Sequence, residues 1–395
     1  MNIVYPIKKT PYLKEFSTVL DLEKFDNLIK KLDKELINYE KTIVYPLIEE
    51  NLISKNGLLT SFAISKAEDS KLTLAEAKSV YKFVLNNKEY KFISNKIEEG
   101  KKLTQKDYEK LEFYNISKVF NKFKNANLQI KDLNLDFIKN LHLELTAGLD
   151  IFEEKVHEFE PYYSGILRKN NKIKVGNYSP ISCKEIELNI QKLISWFKSN
   201  PSVINVSIFH SVLYAIHPFN NGNKRTCRIL EYILIQSLGL NKNNLYSTSY
   251  YYHLRKDSYY KNLLNTIKNK NLNYFTMFYV EAFLNAIFGV YKTSLEFKRS
   301  KFIGDKDVRL LKLLVKEKAI RYRKLKKLTR HMFSETTLAN KLGTYVKEGV
   351  LKKTAKATYT FYSLNINLTE EDNLDKLKTL FKKHNIYIPD SYLVV

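Results

Sequence analysis

A mainly α-helical chain with a separate basic domain at its end is what the 395 residues predict. Three observations carry this. Apolar residues recur at helical spacing through most of the first 290 or so positions. Strand-like alternation is confined to two short stretches, residues 166–175 and 350–364. The charge is uneven: residues 301–360 hold 17 Lys or Arg against 5 Asp or Glu, half of the chain's net +24.

Taken in order, residues 1–20 give no pattern beyond extended chain. Phe25, Leu28, Ile29, Leu32, Leu36 and Ile37 mark an amphipathic helix, followed by a second short apolar segment. Residues 72–93 read as one helix, and a helical N-terminal region covers 1–104. A core region follows over 105–297. Its best-defined early helix is 133–149, and Ile166, Ile173 and Val175 about an Asn-Asn turn read as a β-hairpin. Residues 183–198 form a further helix. The apolar stretch 274–291 is interrupted by Glu281 and Asn285, so it reads as a buried helix and not a membrane span. A linker begins at Lys298. Beyond it, helices at 308–315, 322–328 and 335–347 and a hairpin about Lys356 predict a winged helix-turn-helix over 298–365, with a helix and tail over 366–395. Cys183 and Cys227 are too few for a disulfide framework or a zinc site. The first residues lack the apolar core of a signal peptide, so a cytoplasmic protein with no membrane partner is expected.

The most informative window is His217-Pro-Phe-Asn-Asn-Gly-Asn-Lys-Arg-Thr-Cys-Arg228. Upstream, a helix is expected to start at Asn200 (cap) and Pro201 and to run through Val203–Ile216. Downstream, a nearly all-apolar helix runs to Gly239. That buried helix carries Asn223, Lys224, Arg225 and Arg228 in its first turns. A helix N-terminus with basic side chains is suited to an anion. Arg225 and Arg228 share a face, Gly222 permits close backbone approach, and His217 is a base on the adjoining loop. The residues alone point to a histidine activating a nucleophile beside a cradled polyphosphate.

This window resembles the signature of the Fic (Fido) family, His-x-Phe-x-(Asp/Glu)-Gly-Asn-Gly-Arg-x-x-Arg, through His217, Phe219, Gly222, Asn223, Arg225 and Arg228. Two positions depart: Asn221 stands in the slot of the acidic magnesium ligand, and Lys224 replaces the second glycine. Asn-Lys-Arg is similar to the Doc branch, which transfers a phosphoryl group, whereas Arg228 is a mark of the adenylylating branch.

The resemblance implies a Fic-type helical core that uses ATP and Mg²⁺ to place AMP on a Ser, Thr or Tyr hydroxyl of a target protein. His217 is then the base, Gly222 and Asn223 steady phosphates with Lys224 near them, and Arg225 and Arg228 hold the outer phosphates. Asn221 as a neutral metal ligand predicts slowed or lost transfer. Gly165 and Arg168 match the opening of the family's flap, which holds the acceptor segment by strand addition. Tyr251 and Tyr259 fall in the segment whose aromatics lie near adenine. An inhibitory helix is matched by Ser61, Ser65 and Lys66, with Ser65 in the slot of the blocking glutamate and Glu68 one turn on.

Two alternatives remain at this stage: a Doc-like kinase, and a DNA-binding regulator whose Fic part only senses nucleotide. For the appended domain, Lys and Arg are expected on phosphates of duplex DNA, with Thr337, Asn340 and Lys341 reaching base edges.

Overall fold

Helix starts in this chain are set by capping side chains, and the computed structural model shows them one after another. It describes residues 25–34, 46–124, 128–153, 159–269, 271–300, 319–347, 351–356 and 358–364, with scattered positions at 306–314 and 378–382. The extended N-terminus and all but three positions of the expected C-terminal helix and tail lie outside these residues.

The chain divides into two units, residues 1–290 and 291–394. In the first, α1 (25–34) buries Phe25, Ile29 and Leu32. Then come α2 (Pro46–Ser65), α3 (Leu74–Leu85), α4 (Phe92–Glu98), α5 (Gln105–Phe123) and α6 (Leu135–Thr146). Thr73 with Glu76 and Thr104 with Asp107 form reciprocal capping boxes at the starts of α3 and α5. The single helix expected over 72–93 is broken at Asn86–Lys91, because Asn87 adopts a left-handed φ of 50° that a helix cannot propagate.

The centre of this unit is the pair α8 (Val203–Ile216) and α9 (Asn223–Ser237), preceded by α7 (Ile186–Ser199). Every α8 residue but Asn205 is buried. The cap of α8 is Ser202 and not the expected Asn200, since Ser202 Oγ accepts the Asn205 amide at 3.1 Å. Asp26, from α1, accepts the Val203 amide at 2.6 Å as well. A carboxylate here complements both the open amides and the helix dipole. Gly239, at φ 82°, ends the α9 segment as expected.

Two helices come next, α10 (Thr248–Leu254) and α11 (Lys256–Lys268), and α12 (Asn273–Ser300) follows. The apolar stretch in α12 buries Phe275, Phe278, Tyr279, Phe283 and Ile287, while Glu281 accepts the Tyr251 hydroxyl. The residues expected to open the linker at 298 lie inside α12. Among the described residues no helix is long and apolar enough to cross a membrane.

The second unit has β1 (Ile320–Arg321), α13 (Tyr322–Thr329), α14 (Glu335–Lys347), β2 (Leu351–Lys356) and β3 (Tyr359–Leu364). The sheet order is β1-β3-β2, all antiparallel, with Lys356 opposite Tyr359 at the turn. Leu338, Leu342 and Tyr345 of α14 pack with Leu310, Leu314, Leu325 and Leu351 into its own core. Ser334 caps α14 by accepting the Thr337 amide at 3.2 Å.

Candidate active site

The α8–α9 connection is built on an unusual backbone choice. His217 ends α8 in the left-handed region, at φ 52° and ψ 64°, with its amide donating to Leu213 O at 3.1 Å. Glycine is the residue that takes this position without steric cost, and a non-glycine there stores of the order of 1 kcal/mol. The His217 ring packs edge-on to Tyr214, with centroids 5.7 Å apart.

The next residues shape a tight loop. Asn223 folds its amide back, accepting the Phe219 N–H at 3.0 Å and donating to Phe219 O at 2.8 Å. Gly222 precedes α9 at φ 78°, and a Cβ there would meet His142 Nε2 at 3.2 Å and Thr146 Cγ2 at 3.3 Å. The first intrahelical bond of α9 runs from the Thr226 amide to Gly222 O, so the open helix end lies at this loop.

That end borders a cavity of about 300 Å³ whose lining includes His217, Asn220, Asn221, Gly222, Asn223 and Lys224. Tyr214, Tyr260, Lys174 and Glu160 complete its polar and aromatic walls. The Lys224 ammonium lies 4.8 Å from the centre of the Tyr260 ring. The structure thus brings His217 and residues 221–224 together on one cavity.

The two arginines are placed differently. Arg225 is 1% exposed and donates to Glu112 Oε1 at 2.6 Å and to Tyr162 Oη at 2.8 Å. Arg228 is also 1% exposed, 4.3 Å over the Tyr259 ring and 5.4 Å over the Tyr252 ring. Its Nη1 donates to Ala63 O at 3.3 Å, whereas its Nε and Nη2 have no hydrogen-bond partner among the described residues. Neither arginine is among the residues lining the cavity. Tyr251 and Tyr259 are core residues, and the Tyr259 hydroxyl meets His210 Nε2 at 2.9 Å. The aromatics on the cavity are Tyr214 and Tyr260. Ser65 turns its hydroxyl onto Phe62 O at 2.9 Å, Lys66 donates to Ser70 O at 2.6 Å, and Ser61 is fully buried. Glu68 lies in the short turn after α2.

The expected hairpin over 166–175 does not form a ladder. The only pairing described there is an isolated bridge between Val175 and Tyr178, around Gly176. Arg168 explains this: its amide donates to Pro218 O at 2.8 Å, and its guanidinium to His217 O at 2.7 Å, Ile181 O at 2.5 Å and Asn170 O at 2.7 Å. A buried guanidinium tied to carbonyls on both sides holds the segment across the His217 loop and not against a second strand. Gly165, at φ 77°, sits where a Cβ would come within 3.0 Å of Leu143 Cβ.

A magnesium ion does not fit the donor set at Asn221. Its Oδ1 already accepts the Gly222 amide at 2.7 Å and lies 3.4 Å from Arg225 Nη2, while its Nδ2 donates to Glu160 O at 3.2 Å. Among the described residues no cluster of three His, Cys, Asp or Glu is placed to hold a metal.

Sequence reading missed His142 and Glu112. His142 lies flat on Phe219, at 3.8 Å and 3°, with Nδ1 accepting the Gly165 amide at 2.9 Å and Nε2 facing Asn221 O at 3.0 Å. The Gly165 donor puts the ring proton on Nε2, so the imidazole clasps the 165–168 segment to the loop before α9. A signal was present in each case, since a titratable residue falls on the apolar stripe of α6 or α5.

Burial pushes the His142 pKa down to about 4, with the Asn221 carbonyl opposing and the Arg225 charge adding to the shift. The unfolded ring titrates near 6.5. Between these values only the unfolded chain takes the proton. Stability is therefore complete above pH 6.5 and declines as pH falls toward 4, by roughly 3 kcal/mol from this group. Urea melts from pH 7.5 to 4 are expected to show the decline, and His142→Gln to flatten it. His253, also pushed to about 4, leaves a residual slope. An identical slope in the variant contradicts this assignment.

Residues 132–235 match the model of the Fic/DOC family. Curated relatives include the proteins named protein adenylyltransferase Fic of Drosophila mojavensis and Drosophila virilis, each 27% identical over 124 residues, or 30% of this chain. The match spans 24% and 25% of those proteins, about a quarter of their length. Among solved structures, Fic-1 from C. elegans superposes with a TM-score of 0.50 at 16% identity, over 70% of this chain and 73% of that one. A Fic family protein from Desulfovibrio desulfuricans gives a TM-score of 0.49 at 16% identity, over 87% and 96%. At such identities the likeness is one of fold. The family match covers α6 through most of α9 and includes both His142 and the His217 loop, so the segment 132–235 is what this chain shares with the Fic/DOC family.

Proposed function

We propose that the first unit is a protein adenylyltransferase that moves AMP from ATP to a hydroxyl of a target protein. The observation that carries this is the strained His217 beside the open end of α9 on one cavity. The acceptor hydroxyl loses its proton to His217 as its oxygen attacks the α-phosphorus. The bond from that phosphorus to the bridging oxygen breaks, and pyrophosphate leaves. The Gly222 turn and the first turn of α9 steady the phosphates, with Lys224 adding charge. Arg228, buried with two donors that meet no partner among the described residues, is an anion-seeking group one turn deeper; Arg225 acts through the loop it anchors. Gly165 and Arg168 open a flap that presents the target segment. Relatives named adenylyltransferase favour transfer of AMP over transfer of a phosphoryl group. Incubation with ATP labelled at the α- or γ-phosphate decides it. Alpha label on protein, absent with His217→Ala, supports the reading, and gamma label alone assigns a Doc-like kinase.

A second reading concerns residues 291–394. We propose a winged helix that binds duplex DNA through α14. Thr337 and Asn340 are exposed on its outer face, with Lys352 and Lys353 exposed on β2. Lys341 pairs with Asp307 at 2.8 Å, which leaves base contact to its neighbours. Gly343 favours the reading: it costs an exposed helix about 1 kcal/mol relative to alanine, yet a Cβ there would meet nothing within 4 Å. Such a gap suits close approach of another surface. Duplex binding by the full chain should weaken steeply with salt and fall on Gly343→Leu; absence of binding at low salt ends this reading.

A further inference from the structure

We propose that the cavity takes its polyphosphate without a divalent cation, with the ammonium groups of Lys224 and Lys174 supplying the neutralising charge. The inference rests on the nucleotide-binding reading above and adds how charge is balanced there.

Three observations carry it. The first is that the Asn221 amide is committed at both ends. Its oxygen accepts the Gly222 amide at 2.7 Å, and its nitrogen donates to Glu160 O at 3.2 Å. Magnesium is held by near-octahedral oxygens that include one or two carboxylates. Asn221 offers a neutral oxygen already in use.

The second is the Arg225 guanidinium, 3.4 Å behind that oxygen. A fixed cation so close disfavours a doubly charged ion in front of the same atom. The third is the charge of the walls. Lys224 stands at the helix end, braced over the Tyr260 ring at 4.8 Å, and Lys174 stands on the cavity lining as well. Glu160, exposed, is the only acidic residue among the described residues lining the cavity. Two ammonium groups and a helix N-terminus on the described walls suit an anionic polyphosphate.

The test is calorimetric titration of the full chain with ATP, in EDTA and in millimolar MgCl₂. The expected result is binding in EDTA at least as tight as with magnesium. Lys224→Met, which keeps the aliphatic stem, is expected to weaken binding in EDTA by about tenfold. Lys174→Ala, at an exposed position that cannot unfold the chain, is expected to weaken it by a smaller factor. Lys224→Arg should retain most of the affinity. ATP that binds only with magnesium, or affinity in EDTA indifferent to both lysines, overturns this proposal and leaves the adenylyltransferase reading standing. No binding in either medium ends both.

Discussion

Replacing His217 by glycine is expected to lower AMP transfer by about 10²–10⁴-fold, while the folding free energy stays within about 1 kcal/mol of the parent. The two effects have separate origins. In the proposed mechanism the imidazole is the base on the cavity, so its loss removes proton transfer from the acceptor hydroxyl. The backbone at φ 52° is one that glycine adopts freely, so relief of strain offsets the extra freedom glycine gives the unfolded chain. His217→Ala removes the same base but keeps a Cβ in the left-handed region, and should be the less stable of the two. Transfer of α-label and urea unfolding, measured on both variants, check this. A glycine variant that transfers AMP at the parental rate sinks the assignment of the base. One that loses several kcal/mol of stability sinks the account of the loop.

Glu112→Leu is expected to destabilise the domain by about 3–5 kcal/mol. Both partners of the Glu112–Arg225 pair are 1% exposed, and removing the carboxylate leaves a buried guanidinium with the Tyr162 hydroxyl and Asn221 as poor substitutes. The double variant Glu112→Leu, Arg225→Met removes both charges and should regain most of the loss, because well-packed apolar replacements of buried pairs are often neutral. Denaturant unfolding of the four proteins in the cycle reads the coupling. Equal losses in single and double variants contradict the view that the carboxylate exists to balance Arg225. Transfer should suffer even where stability is restored, since Arg225 also braces the Asn221 side chain at the cavity.

The α8–α9 pair was legible because its signals are local. A run of apolar residues, a glycine turn and a glycine stop are read within a few positions of the elements they define, and the anion-suited helix end follows from the same residues. The interior of the site was not legible. Glu112 meets Arg225 across 113 positions, and His142 meets Asn221 across 79; no periodicity links such pairs. The arginines read as phosphate ligands because they share a face with the helix mouth, but that face turns into the protein, where Glu112 and Tyr259 receive them. The hairpin was misread for a related reason. Alternation at Ile166, Ile173 and Val175 has the period of a strand, yet Arg168 spends its donors on carbonyls of the His217 loop and precludes the ladder. In the second unit the inner face of α14 could be read from spacing alone, whereas the Lys341–Asp307 pair depends on an earlier helix.

The central claim is that a polyphosphate docks at the mouth of α9 with His217 beside it. A crystal structure of the chain with a non-hydrolysable ATP analogue tests it most directly. The account predicts phosphate density against Gly222, Asn223 and Lys224, with the α-phosphorus facing the imidazole across the space of one acceptor oxygen. A nucleotide bound elsewhere, or a His217 ring turned away from it behind packed side chains, would contradict the claim.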